Sequence, residues 1–286
     1  MSNIVRVDSH QHFWKLDRGD YHWLNAEPAS LKRDFLPHDL QFLLNQNAVD
    51  YTVIVQAAET VEETDYILEL AEAHSFVAGV VGWVDMNLPG TLEVLERLKQ
   101  HPKLRGIRPI IQGIADPDWM LKPELDPVFK WLIDNDRSFD ALVKPVHLDA
   151  LYILLQRYPE LRVVIDHGAK PDIASDTFNP WAEKIQKISE DSTAFCKISG
   201  LVTEAGANVS YEKLYVYMNH LASCFGAQRL MWGSDWPVCT LAATYSEWVE
   251  YMNNFLSEFS VEEGKAIWGG NAINFYKLDL GKHQKS

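Results

Sequence analysis

The sequence predicts an α/β fold, a single (β/α)8 barrel of the TIM type over residues 1–286, on three observations. Eight short apolar runs are each followed by a helix-like stretch, which is the alternation a closed parallel barrel requires. Most runs are apolar on both faces, as in strands covered by helices, where a strand with one wet face would alternate cleanly. No Pro-, Gly- or Ser-rich linker and no low-complexity tract divides the chain, and 47% hydrophobic content can fill one large core.

Taken in order, the strands read as Ile4–Asp8, Tyr51–Gln56, Val77–Val84, Leu104–Pro109, Phe139–Lys144, Arg162–Asp166, Ala194–Ser199 and Leu230–Gly233. Amphipathic segments such as Glu59–His74, Thr91–Gln100, Asp126–Asn135, Asp149–Tyr158, Trp181–Glu190, Tyr211–Phe225 and Ala243–Phe259 accompany these runs. In Val61–Ala73, Tyr66, Ile67, Leu70 and Ala71 form one stripe, while Glu62, Glu63, Asp65, Glu69 and Glu72 fall largely elsewhere. The stretch from His12 to Leu36 is long enough to be a lid. A doubly wound open sheet would carry a Gly-rich phosphate loop after its first strand, and here that turn reads His10-Gln-His-Phe-Trp14.

Charge and cysteine content exclude several classes. A formal charge of −14 and a pI near 5.1 argue against nucleic-acid and anionic-membrane surfaces, which need clustered Lys and Arg. No stretch approaches the ~20 apolar residues of a membrane span, and the opening has no charged-then-apolar leader, so a cytoplasmic location is expected. Cys196, Cys224 and Cys239 lack CxxC spacing and are expected to be buried small hydrophobes. A small molecule is the expected partner. The exposed barrel helices leave a homo-oligomer open.

Barrel enzymes place chemistry at the C-terminal ends of their strands. The first run ends in His10 and His12, which extended backbone projects on one face with Asp8 behind them. Such a pair can grip a metal, polarise a carbonyl or relay a proton. The fourth run ends in Arg105-Gly-Ile-Arg108, the fifth in Lys144, the sixth in Asp166-His167-Gly168 and the eighth in Gly233-Ser-Asp235-Trp236-Pro237. Barrel closure would bring these ends onto one small rim.

Asp8-Ser-His10-Gln-His12-Phe-Trp14, Arg105-Gly-Ile-Arg108-Pro, Asp116-Pro-Asp-Trp119, Val164-Ile-Asp-His167-Gly-Ala-Lys170-Pro171, Trp232-Gly-Ser-Asp235-Trp236-Pro237 and Trp268-Gly-Gly-Asn271 together resemble the amidohydrolase superfamily. More narrowly they resemble its sugar-lactonase branch of L-fuconolactonases and L-rhamnonolactonases, related to the 2-pyrone-4,6-dicarboxylate lactonases. The resemblance covers nearly the whole chain. It implies hydrolysis of L-fucono-lactone, or a close L-galactono-, L-rhamnono- or D-arabinono-lactone, by direct attack of water with Asp235 as general base. His10, His12 and His167 would stabilise the oxyanion.

Arg108, Lys144 and His147 are expected to bind substrate, with Trp14 and Trp236 offering aromatic surface to the sugar. Strand five carries Lys144 where a ligand histidine belongs in binuclear members, which argues against a two-metal centre. The resemblance implies no required cofactor, with His10, His12 and Asp235 as ligands where one divalent cation such as zinc is bound. A zinc-dependent decarboxylase or hydratase of the same superfamily is the second reading, and a non-catalytic sugar-binding barrel the third. No GxSxG elbow supports a serine esterase.

Overall fold

The computed structural model describes residues 4–281. Eight parallel strands form one sheet in the order β1 to β8: Val7–Gln11, Tyr51–Val55, Val77–Gly82, Leu104–Ile107, Ser138–Ala141, Val163–Ile165, Phe195–Ile198 and Leu230–Trp232. Helices α1 to α11 surround it at Pro37–Gln46, Val61–Ala73, Thr91–Leu98, Asp126–Asp134, Leu148–Arg157, Trp181–Asp191, Leu201–Ala205, Tyr211–Phe225, Tyr245–Leu256, Val261–Lys265 and Asn271–Tyr276. The fold is the (β/α)8 barrel the alternation predicts.

Local signals account for the helix starts. Thr60 Oγ1 accepts the Glu63 N–H at 3.1 Å and opens α2. Pro37 begins α1, whose Asp39 carboxylate accepts the Leu36 N–H at 2.8 Å. Thr244 and Glu247 form a reciprocal cap on α9. Helix α1 carries too little periodicity to appear among the expected segments, and its punctuation is the sign that marks it. Each helix then presses an apolar face on the sheet; in α2, Ile67, Leu68 and Ala71 are fully buried. A buried Leu or Ile contributes roughly 1.5–3 kcal/mol.

Two expectations are corrected by the packing. Strand β1 begins at Val7 and not at Ile4, so His10 lies inside the strand. Ile4 and Val5 are 36% and 39% exposed, and the Val5 carbonyl abuts Gly269, where a Cβ would come within 2.3 Å. Glu63, expected on the wet side of α2, is fully buried against the loop after β2, where its Oε1 accepts the Ala57 N–H at 3.1 Å.

The C-terminal residues plug the barrel. Ala272, Phe275, Tyr276 and Leu278 pack on Val7, Val53, Val55, Val81, Val164 and Met231 in a core separate from the one under the outer helices. Asn271 Nδ2 donates to the carbonyls of Ala227 and Leu230 at 2.7 and 2.6 Å, which pins α11 beside the start of β8. This explains the Trp-Gly-Gly-Asn ending in physical terms: small residues for close approach, then an amide that satisfies two buried carbonyls.

Candidate active site

The site is built where the barrel closes. Beyond β8 the chain runs beside β1: the Asp235 N–H donates to the His10 carbonyl at 2.7 Å, and the His12 N–H donates to the Trp236 carbonyl at 2.7 Å. Asp235 takes a left-handed conformation, φ 57°, and its loop is held by Ser234 N–H on Asp8 Oδ1 at 2.8 Å and by Trp248 Nε1–H on the Gly233 carbonyl at 3.1 Å. Asp8 therefore serves this loop, with Tyr245 O–H on its other oxygen, and neither imidazole. A register shift between Asp8 and Gln11 accompanies this arrangement, and burial pushes the Asp8 carboxyl up to about 6.

Four of the expected residues converge on one oxygen. Asp235 Oδ1 lies 3.1 Å from His12 Nε2, 3.7 Å from His10 Nε2 and 3.9 Å from His167 Nε2. His10 is fully buried, and the other three are no more than 5% exposed. His167 reaches the cluster from a run of left-handed residues, His167 to Lys170, and its Nδ1 bonds Ser199 Oγ at 2.8 Å. Gly200 leaves room for that ring, since a Cβ there would come within 2.6 Å of His167 Nδ1. Burial lowers His167 to about 4, and burial with the Lys197 charge lowers His10 well below the ordinary histidine value, so both are neutral at pH 7.

Arg108 joins the cluster, with Nη1 3.4 Å from His10 Nε2 and 3.5 Å from Asp166 Oδ2, while Nη2 donates to the Gln56 carbonyl. Lys144 does not join it by any side-chain hydrogen bond or ion pair among the described residues, and it is an exposed residue after β5. His147 is buried and accepts the Lys144 N–H on Nδ1 at 3.0 Å, which makes it a brace for the turn into α5. Trp14 is fully buried, with its indole N–H on the Arg33 carbonyl at 2.9 Å and its ring edge-on to Trp23 and Phe35. Trp236 packs on Phe13 and Phe35. These two indoles support the loop over the site and leave no open ring face for a sugar. Sequence reasoning placed them by position alone, and position does not say which way a ring turns. The lid segment is tied down by Trp23 Nε1–H on the Ala57 carbonyl at 2.8 Å and by Thr60 O–H on Asp20 Oδ2 at 3.0 Å.

Sequence reasoning missed the charges beneath the imidazoles. Lys197 in β7 is fully buried, 2.8 Å from Asp140 Oδ2, 3.0 Å from Asp166 Oδ1 and 3.2 Å from His10 Nδ1. The available signal was a lysine inside Phe-Cys-Lys-Ile and an aspartate inside Phe-Asp-Ala, since a charge in a strand covered on both faces must have a partner.

The donor set fits a divalent cation. His12 Nδ1 faces the Val55 carbonyl at 2.8 Å and must carry the proton there, so Nε2 presents a lone pair to Asp235 Oδ1 at 3.1 Å. Two acceptors at that distance need a proton or a cation between them. His10, His12 and Asp235 supply ligand atoms within 4.8 Å of one another.

A sequence profile of the family described as Amidohydrolase matches residues 7–278. An L-fucono-1,5-lactonase of Burkholderia ambifaria is 42% identical over 278 residues, covering 96% of each chain. An L-fucono-1,5-lactonase of Burkholderia multivorans is 36% identical over 294 residues, again covering 96% of each. Among solved structures, an amidohydrolase from Burkholderia multivorans with bound zinc superposes with a TM-score of 0.91 at 35% identity, covering 96% of this chain and 100% of that one.

Proposed function

Because this chain belongs to the amidohydrolase family, we propose that it opens a sugar lactone to the aldonic acid, with L-fucono-1,5-lactone as the leading substrate. The observation that carries this reading is the single carboxylate oxygen of Asp235 ringed by three imidazoles in a nearly closed site. Asp235 accepts a proton from the attacking water, whose oxygen bonds the lactone carbonyl carbon. The same proton then passes to the ring oxygen as the C–O bond breaks. No covalent intermediate is formed. We assign His10 and His167, with Arg108 beside them, to the carbonyl oxygen as it gathers charge, and leave out His12, whose proton is held by the Val55 carbonyl.

His10, His12 and Asp235 would hold a divalent cation such as zinc, which would supply Lewis-acid polarisation of the carbonyl when bound. No step above depends on it.

A neutral lactone fits the charge balance. Arg108 is already offset by Asp166, and the lysine nearest the imidazoles by Asp140 and Asp166, so neither cation is left to receive a substrate carboxylate. The test is a pH-indicator assay of the protein against L-fucono-, L-galactono-, L-rhamnono- and D-arabinono-lactones and one dicarboxylic lactone. Fastest acid release from L-fucono-1,5-lactone supports the reading. Faster turnover of the dicarboxylic lactone, or silence on all five, sinks it.

A further inference from the structure

We propose that Lys197 is a positioning residue that sets the tautomer of His10, keeping the proton on Nε2 so that this imidazole acts as a hydrogen-bond donor in preference to a metal ligand. An ammonium has three N–H bonds, and Lys197 directs two of them to acceptors, Asp140 Oδ2 at 2.8 Å and His10 Nδ1 at 3.2 Å, while its charge pairs with Asp166 Oδ1 at 3.0 Å. Accepting at Nδ1 leaves the proton of a neutral imidazole on Nε2, which points toward Asp235 Oδ1 at 3.7 Å. The opposite tautomer would place Nδ1–H on Asp166 Oδ1 at 3.5 Å and let Arg108 donate to Nε2 at 3.4 Å. Both contacts are longer than the one from Lys197. That arrangement turns an N–H of a fully buried ammonium onto a ring N–H, whereas the first sets Nε2–H against an Arg108 N–H on a guanidinium that also bonds the Gln56 carbonyl and pairs with Asp166.

The lysine is itself held. Asp140 receives Ser138 O–H on Oδ1 at 2.8 Å and Tyr276 O–H on Oδ2, so the barrel plug fixes the carboxylate that fixes the ammonium. A cation bound at His10 Nε2 would require the proton to move to Nδ1, against Lys197. Lys197 therefore weakens metal binding and preserves an N–H donor for the oxyanion. The donor's role rests on the lactonase reading, whereas the tautomer can be read with no lactone present.

The test is a long-range proton–nitrogen correlation spectrum of the full chain labelled with nitrogen-15 histidine, with His10 assigned through a His10→Gln variant. The wild type is expected to show an unprotonated Nδ1 and a protonated Nε2. In the charge-balanced Asp140→Asn/Lys197→Met protein the proton should move to Nδ1, facing Asp166. Zinc affinity, by competition with a chromophoric chelator, should rise about tenfold. kcat should fall about 10²-fold with KM within about threefold. A protonated Nδ1 in the wild type overturns the proposal, as does an unchanged His10 in the paired variant. If that variant does not fold, the wild-type spectrum decides alone. A protein silent on every lactone that still shows the Nε2–H tautomer overturns the lactonase reading and leaves this role of Lys197 standing.

Discussion

The main-chain N–H of Asp235 donates to the carbonyl of His10 at 2.7 Å, so the proposed base and the most buried imidazole are joined through the backbone, with their side chains 3.7 Å apart. The bond lies where β1 and the segment after β8 meet, and the bridge between Gln11 and Trp236 adds to it. Closure of the barrel and assembly of the site are thus the same event, and side-chain substitutions at Asp235 leave the scaffold in place.

Asp235→Asn should therefore fold normally and lose general-base catalysis. kcat is expected to fall about 10²–10⁴-fold, with KM changed by only a few fold. Steady-state kinetics on L-fucono-1,5-lactone, with circular dichroism as the folding control, checks this; a variant within about tenfold of wild type would remove Asp235 from the chemistry.

Metal stripping should leave most activity intact. Two cations, Lys197 and Arg108, already stand within 3.4 Å of His10 nitrogens, which disfavours a third. Chelated protein, with zinc content verified by elemental analysis, is expected within about twofold of zinc-loaded protein. A loss of more than about tenfold that zinc alone restores would make the histidines ligands in turnover.

Gly200→Ala should damage His167 specifically. The new Cβ would come within 2.6 Å of its Nδ1, at a residue with φ 63° that alanine adopts poorly. The expected result is a thermal destabilisation of about 1–3 kcal/mol together with a kcat loss of at least about tenfold. Unchanged kcat would mean that the ring can move without consequence.

Glu63 makes stability depend on pH. Burial, reinforced by the Asp20 charge, raises its carboxyl from an ordinary 4.5 to about 8. Below 4.5 both folded and unfolded chains hold the proton; between 4.5 and about 8 only the folded chain does, so stability falls as pH rises, and above about 8 the loss is complete. Glu63→Gln keeps an acceptor for the Ala57 N–H and abolishes that slope, a gain of a few kcal/mol on the alkaline side. Melting temperatures of the two proteins at about pH 5 and about pH 8.5 decide it. Parallel curves would show that Glu63 ionises freely.

Periodicity, turn residues and strand ends are local properties, and they were enough to determine the eightfold alternation and the residues at the rim. A covered strand must be apolar on both faces, and a barrel must bring its C-terminal ends together, so His10, His12, Arg108, His167 and Asp235 could be grouped before any coordinate was known. The amidohydrolase resemblance rested on the same stretches and is borne out by the family profile. Tertiary structure decided where side chains turn and which charges meet. Trp14 and Trp236 face an aromatic core, Lys144 faces solvent, and Asp8 serves the loop after β8. Lys197 meets His10 across 187 residues and Asp140 across 57. Such pairs arise only when the sheet closes, because the Coulomb attraction that selects them acts over a few ångströms and leaves no trace in neighbouring sequence.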